Sequence, residues 1–144
     1  MTAPRETIMS ALFALVSGSA SFVTASRRLQ LWSSMSPGQK PAIFQYERDD
    51  TYTNGKNYLP IVEMNVDLYI YTAPGTDSGI TPISILNPLI DAIYVALAPN
   101  IVTHRQTLGG LVSHVWIDGK IMKDPGDLDG DGIAVIPVKI LATV

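Results

Sequence analysis

The chain contains no cysteine, which removes disulfide cross-links and thiolate chemistry and fits a reducing or virion setting. Charge is also sparse. Asp, Glu, Lys and Arg make up 16% of the residues and leave a net charge of −3, with a pI near 5.1. A general nucleic-acid binder needs a basic surface to displace counterions, so that class is disfavoured; a protein that lets DNA slide past ungripped is compatible with this charge. There are only two histidines, and neither His104 nor His114 has a second histidine or a cysteine at metal-ligand spacing. Long apolar runs are missing as well. The stretch 8–16 is far short of the roughly 20 residues that span a bilayer, so no membrane partner is expected. Its flank, Arg5 beside Glu6, is a poor basic region for export. Ser17, Ser19 and Ala20 imitate a cleavage site only loosely.

What is present is apolar. Hydrophobic residues make up 47% of the 144 positions, which excludes a disordered protein and suffices for one domain with a substantial core. The mean hydropathy of +0.21 is high for a small chain without a membrane segment. Subunit interfaces are one place where such a surplus can go.

Residues 2–17 predict a first helix, with Thr2 as cap, Pro4 in its opening turn and Ile8, Met9, Leu12, Phe13, Leu15 and Val16 on one face, ending at Gly18. Residues 22–28 are β-like. The Arg27-Arg28 pair at their end is a solvated strand terminus in the plain reading and a salt-bridging contact to a neighbouring subunit in the functional one. Pro37-Gly38 marks a loop over 33–40, and a short strand covers 42–47. The segment 49–57, DDTYTNGKN, reads as a long polar loop with an Asn54-Gly55 turn. Asp49, Asp50, Tyr52, Asn54 and Lys56 are its candidates for contacting a partner. Val62, Met64, Val66, Leu68 and Ile70 then alternate with Glu63, Asn65 and Asp67. That is a half-buried antiparallel strand with one face toward water or a polar channel.

Asn87 caps a second helix in this reading, with Pro88 at its first position, Asp91 near its positive end, and Leu89, Ile90, Ile93 and Leu97 as the core stripe. Gly109-Gly110 launches a strand over 111–118, Asp118-Gly119 turns it back, and a strand over 133–144 closes the chain. In that last strand Ala134, Ile136, Val138, Ile140 and Ala142 share one face. The order is helix, two or three strands, helix, three strands. The expected fold is a single α+β domain over 1–144, with a mostly antiparallel, possibly mixed sheet and two main helices packed against it.

Chemistry-bearing patterns are few. Asp127, Asp129 and Asp131, in DLDGDG, match the first half of a calcium loop, because carboxylates at alternate positions converge on a hard cation. Position twelve of that loop is Val138 instead of a bidentate glutamate, and the segment enters a strand. A hairpin turn is therefore the stronger reading, with Ca2+ as the only cofactor the residues suggest. His114 alternates with core positions and reads as a core or interface imidazole. No serine lies in a nucleophile elbow, and Gly109-Gly110 follows no phosphate-binding pattern. Trp32 and Trp116 read as core or interface anchors. The chain is not expected to be an enzyme.

In order and type, the elements resemble those of the tail terminator (tail completion) proteins of long-tailed bacteriophages. An amphipathic helix (8–16) is followed by a strand ending at Arg27-Arg28, then Trp32, then Pro41-Ala42-Ile43-Phe44. After these come a long alternating strand (61–71), an Asn-Pro-Leu-Ile-Asp-Ala-Ile helix (87–97), the Leu108-Gly109-Gly110 turn and two closing strands. The resemblance covers nearly the whole chain and implies a structural virion protein of the tail or neck, assembled in the host cytoplasm. It further implies a homohexameric ring that sits on the end of the tail tube, stops polymerisation of the tube protein and offers a docking surface to the head-tail connector or head-completion protein. DNA would pass through the ring without specific binding. Glu63, Asn65 and Asp67, or the acidic loop from Asp127 to Asp131, are then candidates to face the channel. A head-closure, neck or tube-like assembly protein is the nearest alternative, followed by a calcium-stabilised binding module.

Overall fold

A computed structural model describes residues 3–54, 60–73, 83–126 and 131–143. Within them two α-helices and six strands run in the order α1 (Arg5–Ser17), β1 (Thr24–Ser26), β2 (Ala42–Thr53), β3 (Ile61–Thr72), α2 (Ile83–Ala96), β4 (His114–Ile117), β5 (Met122–Asp124) and β6 (Gly132–Thr143). Short 3-10 turns occupy Trp32–Ser34 and Pro37–Gln39. The sheet order is β1-β2-β3-β6-β4, with β5 also paired to β6. All ladders are antiparallel except β1-β2. This is the α+β domain that the patterning predicts, with a mixed sheet.

β3 and β6 form the centre, paired without a break from Ile61↔Thr143 to Thr72↔Gly132. Directly opposed residues share a face, so Val62, Met64, Val66, Leu68 and Ile70 lie beside Ala142, Ile140, Val138, Ile136 and Ala134. All ten are buried. Ile8, Met9, Leu12 and Val16 of α1 and Leu86, Ile90, Ile93 and Leu97 at α2 close over that face as one core. Pro137 sits in the middle of β6, where a missing N–H would ordinarily break the ladder. The Asp118 N–H donates to the Pro137 carbonyl at 2.9 Å, so the Pro137 backbone faces the β4-β5 side. It lies there in the gap between residues 138–141, which pair β4, and residues 133–135, which pair β5.

Three expectations need correction. First, 49–53 is strand, not loop: β2 continues to Thr53, paired with β3. Beyond its bulge at Glu47/Asp49 this half of β2 is exposed and polar on both faces, so no alternation betrays it. Asn54 follows the strand, while Gly55 and Lys56 lie outside the described residues. Second, α2 begins at Ile83, which puts Pro88 inside it; the missing N–H breaks one link of the helical ladder. Asn87 is not a cap. Its Oδ1 accepts from Lys123 Nζ at 3.2 Å, and Asp91 falls in the third turn, away from the helix's positive end. Third, Gly109 and Gly110 belong to a turn that precedes β4 by several residues; the three strands expected after the second helix are there, the one not located in the sequence being β5. Leu108, Gly109 and Gly110 all have positive φ (51°, 73° and 94°), a conformation disfavoured for Leu108 and held by its burial in the core. The first helix enters through Pro4 with no side-chain cap; Thr2 lies outside the described residues.

Candidate interaction surfaces

Both helices contribute to the core on one side of the sheet, and the opposite side is only partly covered. At one end of that side, Met35 packs on Ala42, Phe44 and Tyr71, with Leu29, Tyr69 and Ile133 around them. Phe44 and Tyr71 meet with ring centroids 5.4 Å apart, and the Tyr71 hydroxyl donates to the Gln30 carbonyl at 2.8 Å. The rest of the face carries the candidate channel residues. Glu63, Asn65 and Asp67 are half-buried between neighbouring strands and tied across the sheet. Asn65 Nδ2 donates to Asp49 Oδ1 at 2.6 Å, Arg48 Nε lies 3.3 Å from Asp67 Oδ1, and Lys139 Nζ lies 3.5 Å from Glu63 Oε2 and 3.3 Å from Asp118 Oδ2. Carboxylates outnumber cations here, with Asp49, Glu63, Asp67 and Asp118 set against Arg48 and Lys139.

Burial pushes the Asp67 carboxyl up, partly offset by Arg48. The hydrogen bond from Trp116, then that from Lys139, holds Asp118 below the usual carboxylate range. Trp116 Nε1 donates to Asp118 at 3.1 Å, and its ring stacks on His114 at 4.9 Å. His114 Nδ1 in turn accepts from the Gln106 N–H at 3.1 Å, so the imidazole is a structural acceptor.

Arg27, at the β1 edge, is engaged inside the chain. Its guanidinium binds Glu6 and also reaches Glu47 Oε2 at 2.8 Å. Those hydrogen bonds raise its pKa and lower that of Glu6. Arg28 is exposed, and among the described residues its guanidinium has no partner; only its backbone N–H is bonded, to Ser26 Oγ. Asp50 accepts from Arg5 Nε at 2.7 Å. The same guanidinium lies 5.4 Å from the Tyr52 ring centroid, so both β2 candidates anchor the start of α1.

Of the three aspartates in the acidic loop, Asp127 and Asp129 lie outside the described residues. Asp131 Oδ1 faces Lys40 Nζ at 3.3 Å, and the lysine side chain is only 3% exposed. The base of the loop is pinched. Gly126 has φ 76°, and a Cβ there would sit 2.6 Å from the Asp131 backbone. Among the described residues no three His, Cys, Asp or Glu side chains group as metal ligands.

The surfaces that sequence reasoning missed are apolar. Beside β4, Tyr94 and Val95 on α2 are each 68% exposed, and Ile101 and Val102 in the following turn are 90% and 85% exposed. That turn is ordered. Asn100 Oδ1 accepts from the Val102 and Thr103 N–H groups, the Asn100 N–H donates to Arg105, and the His104 N–H donates back to Asn100. His104 takes φ 58° to complete it. Val23, just before β1, is 61% exposed, and Leu31 and Trp32, in the segment that Gln30 and Met35 hold against Tyr71, are 72% and 37% exposed. The two patches belong to different parts of the fold, one on and after α2 and the other before and after β1. The available signal was the spacing of Asp91, Tyr94 and Val95 on the side of α2 away from its buried stripe.

No protein-family model and no curated protein matches the chain.

Proposed function

We propose that the chain is the ring-forming subunit of a phage tail terminator, a structural virion protein of the tail or neck without a catalytic role. Its copies close into a hexamer on the end of the tail tube, halt tube growth and present the docking surface for the head-tail connector. The observation that carries this reading is the pair of separate exposed apolar patches on one domain. A closed ring needs a heterologous interface, in which one patch of each subunit meets a different patch of the next. Tyr94, Val95, Ile101 and Val102 on and after α2, and Val23, Leu31 and Trp32 before and after β1, supply such a pair. The open sheet face, where carboxylates outnumber cations, suits a lumen through which DNA slides, since each captured phosphate would resist passage.

The test is tube growth. Added to polymerising tail-tube protein, this chain is expected to cap the ends and fix tube length at a concentration matching the number of tube ends. Tubes that keep elongating at saturating concentration, with no protein at their tips by electron microscopy, would refute the proposal.

A further inference from the structure

Two Asp-Gly steps lie among the described residues, Asp118-Gly119 and Asp131-Gly132. Such a step carries a latent reaction, because the glycine nitrogen can close a five-membered ring on the aspartate Cγ and no Cβ on the glycine hinders the approach. At Asp131-Gly132 the glycine belongs to β6 and pairs with Thr72, so ring closure means leaving the central ladder. Asp118-Gly119 has no such restraint. Gly119 lies in the turn between β4 and β5, exposed and with φ 101°. Among the described residues its N–H has no hydrogen-bond partner. The Asp118 side chain keeps 46% exposure, so water reaches the site. What restrains this step is a clamp on the carboxylate. Trp116 Nε1 donates to Oδ1 at 3.1 Å, and Lys139 Nζ lies 3.3 Å from Oδ2. Both oxygens are thus engaged, and both donors favour the charged form. Trp116 is itself stacked on His114, and Lys139 also faces Glu63.

We infer that Asp118-Gly119 is a site of covalent modification, where the main chain rearranges to isoaspartate, and that the Trp116-Lys139 clamp governs the rate. The Gly119 nitrogen attacks Cγ of the neutral carboxylic acid. A C–N bond forms, a C–O bond breaks, and the amide proton leaves with the hydroxyl as water, giving a succinimide. Water then reopens the ring. Opening at Cγ regenerates aspartate, whereas opening at the main-chain carbonyl routes the chain through Cβ, one methylene longer. The clamp slows the first step twice over: it keeps the carboxyl in its unreactive ionised form, and turning Cγ toward Gly119 breaks both contacts. The product does not fit its surroundings. Ile117 and Met122, on either side of the turn, pair with Val138 and Val135 of the same strand, and the Asp118 N–H is bonded to Pro137. An added methylene between them displaces one pairing, and β5, three exposed residues long, is the element that gives way. This site is independent of the ring reading.

The experiment ages the full chain at neutral pH and follows isoaspartate at position 118 by peptide mapping, with enzymatic methylation of isoaspartyl carboxyls as a second readout. K139M and W116F, shown to be folded by circular dichroism, are each expected to rearrange about threefold faster than wild type or more, because losing one donor raises the fraction of neutral carboxyl. K139R keeps a cation beside Oδ2 and is expected to stay within about twofold of wild type. D118E is expected to abolish the signal, since the six-membered ring closes far more slowly. Wild type held in urea needs no variant: with the clamp gone it is expected to rearrange about tenfold faster than the folded chain or more. Aged protein enriched in isoaspartate should exchange amide hydrogens faster across 122–124 while the β3-β6 centre stays protected. If folded K139M and W116F rearrange at the wild-type rate, or if folded wild type matches the unfolded chain, control by the clamp is overturned. If no isoaspartate forms at position 118 even in the unfolded chain, the site itself is overturned.

Discussion

Replacing Asp131 by Asn tests the tie between the acidic loop and the body of the protein. Lys40 is buried, with 3% of its side chain exposed, and its Nζ lies 3.3 Å from Asp131 Oδ1, a carboxylate that keeps 19% exposure. Asparagine preserves the shape and removes the counter-charge, leaving a buried ammonium against a neutral amide. Breaking a fully buried pair costs about 3–5 kcal/mol, and the partial exposure of Asp131 brings the expectation down to about 2–3 kcal/mol. In a chain of this size that lowers Tm by roughly 5–10 °C. Urea denaturation measures it directly, with an unchanged m-value showing that the unfolded state is unaltered. Lys40→Met keeps most of the aliphatic stem and removes the cation, so K40M/D131N should be more stable than D131N, to within about 1 kcal/mol of K40M. A D131N protein within about 0.5 kcal/mol of wild type would refute the reasoning, since measured changes of that size are typical of inconsequential surface substitutions. The same variants address the cation reading. Asp131 already serves an ammonium, so millimolar calcium is expected to leave the wild-type Tm in place; a calcium-dependent rise that D131N abolishes would show chelation by the loop.

Gly126→Ala should destabilise by roughly 2 kcal/mol or more, because the new Cβ meets the Asp131 backbone at 2.6 Å in a left-handed conformation; an unchanged denaturation midpoint would contradict the pinched loop base. Arg27→Met should reveal a pH-dependent loss. Glu6 is held below its ordinary value of 4.5, chiefly by the hydrogen bond from Arg27, so that bond's contribution is fully present above pH 4.5 and is lost as pH falls through the lowered pKa. The stability gap between wild type and R27M should therefore narrow in acid, and a gap that widens there would be inconsistent with this pairing. I101D/V102D should fold with Tm within about 2 °C of wild type, since surface substitutions usually cost little, while failing to self-associate; normal association would remove these residues from the interface.

Much of the fold was legible because the central strands must hide one face. Val62 to Ile70 and Ala134 to Ala142 alternate cleanly, and both strands pair as their patterns require. The outer half of β2 was illegible for the complementary reason: Arg48 to Thr53 are exposed, so only the backbone ladder to β3 marks them as strand. β5 is three exposed residues with no pattern to find. The start of α2 was misplaced because Pro88 after Asn87 has the form of a helix entry, while the buried residue that argues for an earlier start, Leu86, precedes it. Of the candidate site residues, Glu63, Asn65 and Asp67 do share one half-open face, as alternation demands. Partners at long sequence separation were beyond reach, as with Arg27 and Glu47, Arg5 and Asp50, or Lys40 and Asp131. So was the exposure of Ile101 and Val102, which composition alone would assign to the core.

Self-association is the central claim, and particle stoichiometry tests it most directly. Negative-stain microscopy with mass photometry, on the protein alone and bound to tail-tube ends, is expected to show closed rings of six copies with a central channel. A protein that is monomeric at every concentration and adds no ring to tube ends would contradict the account.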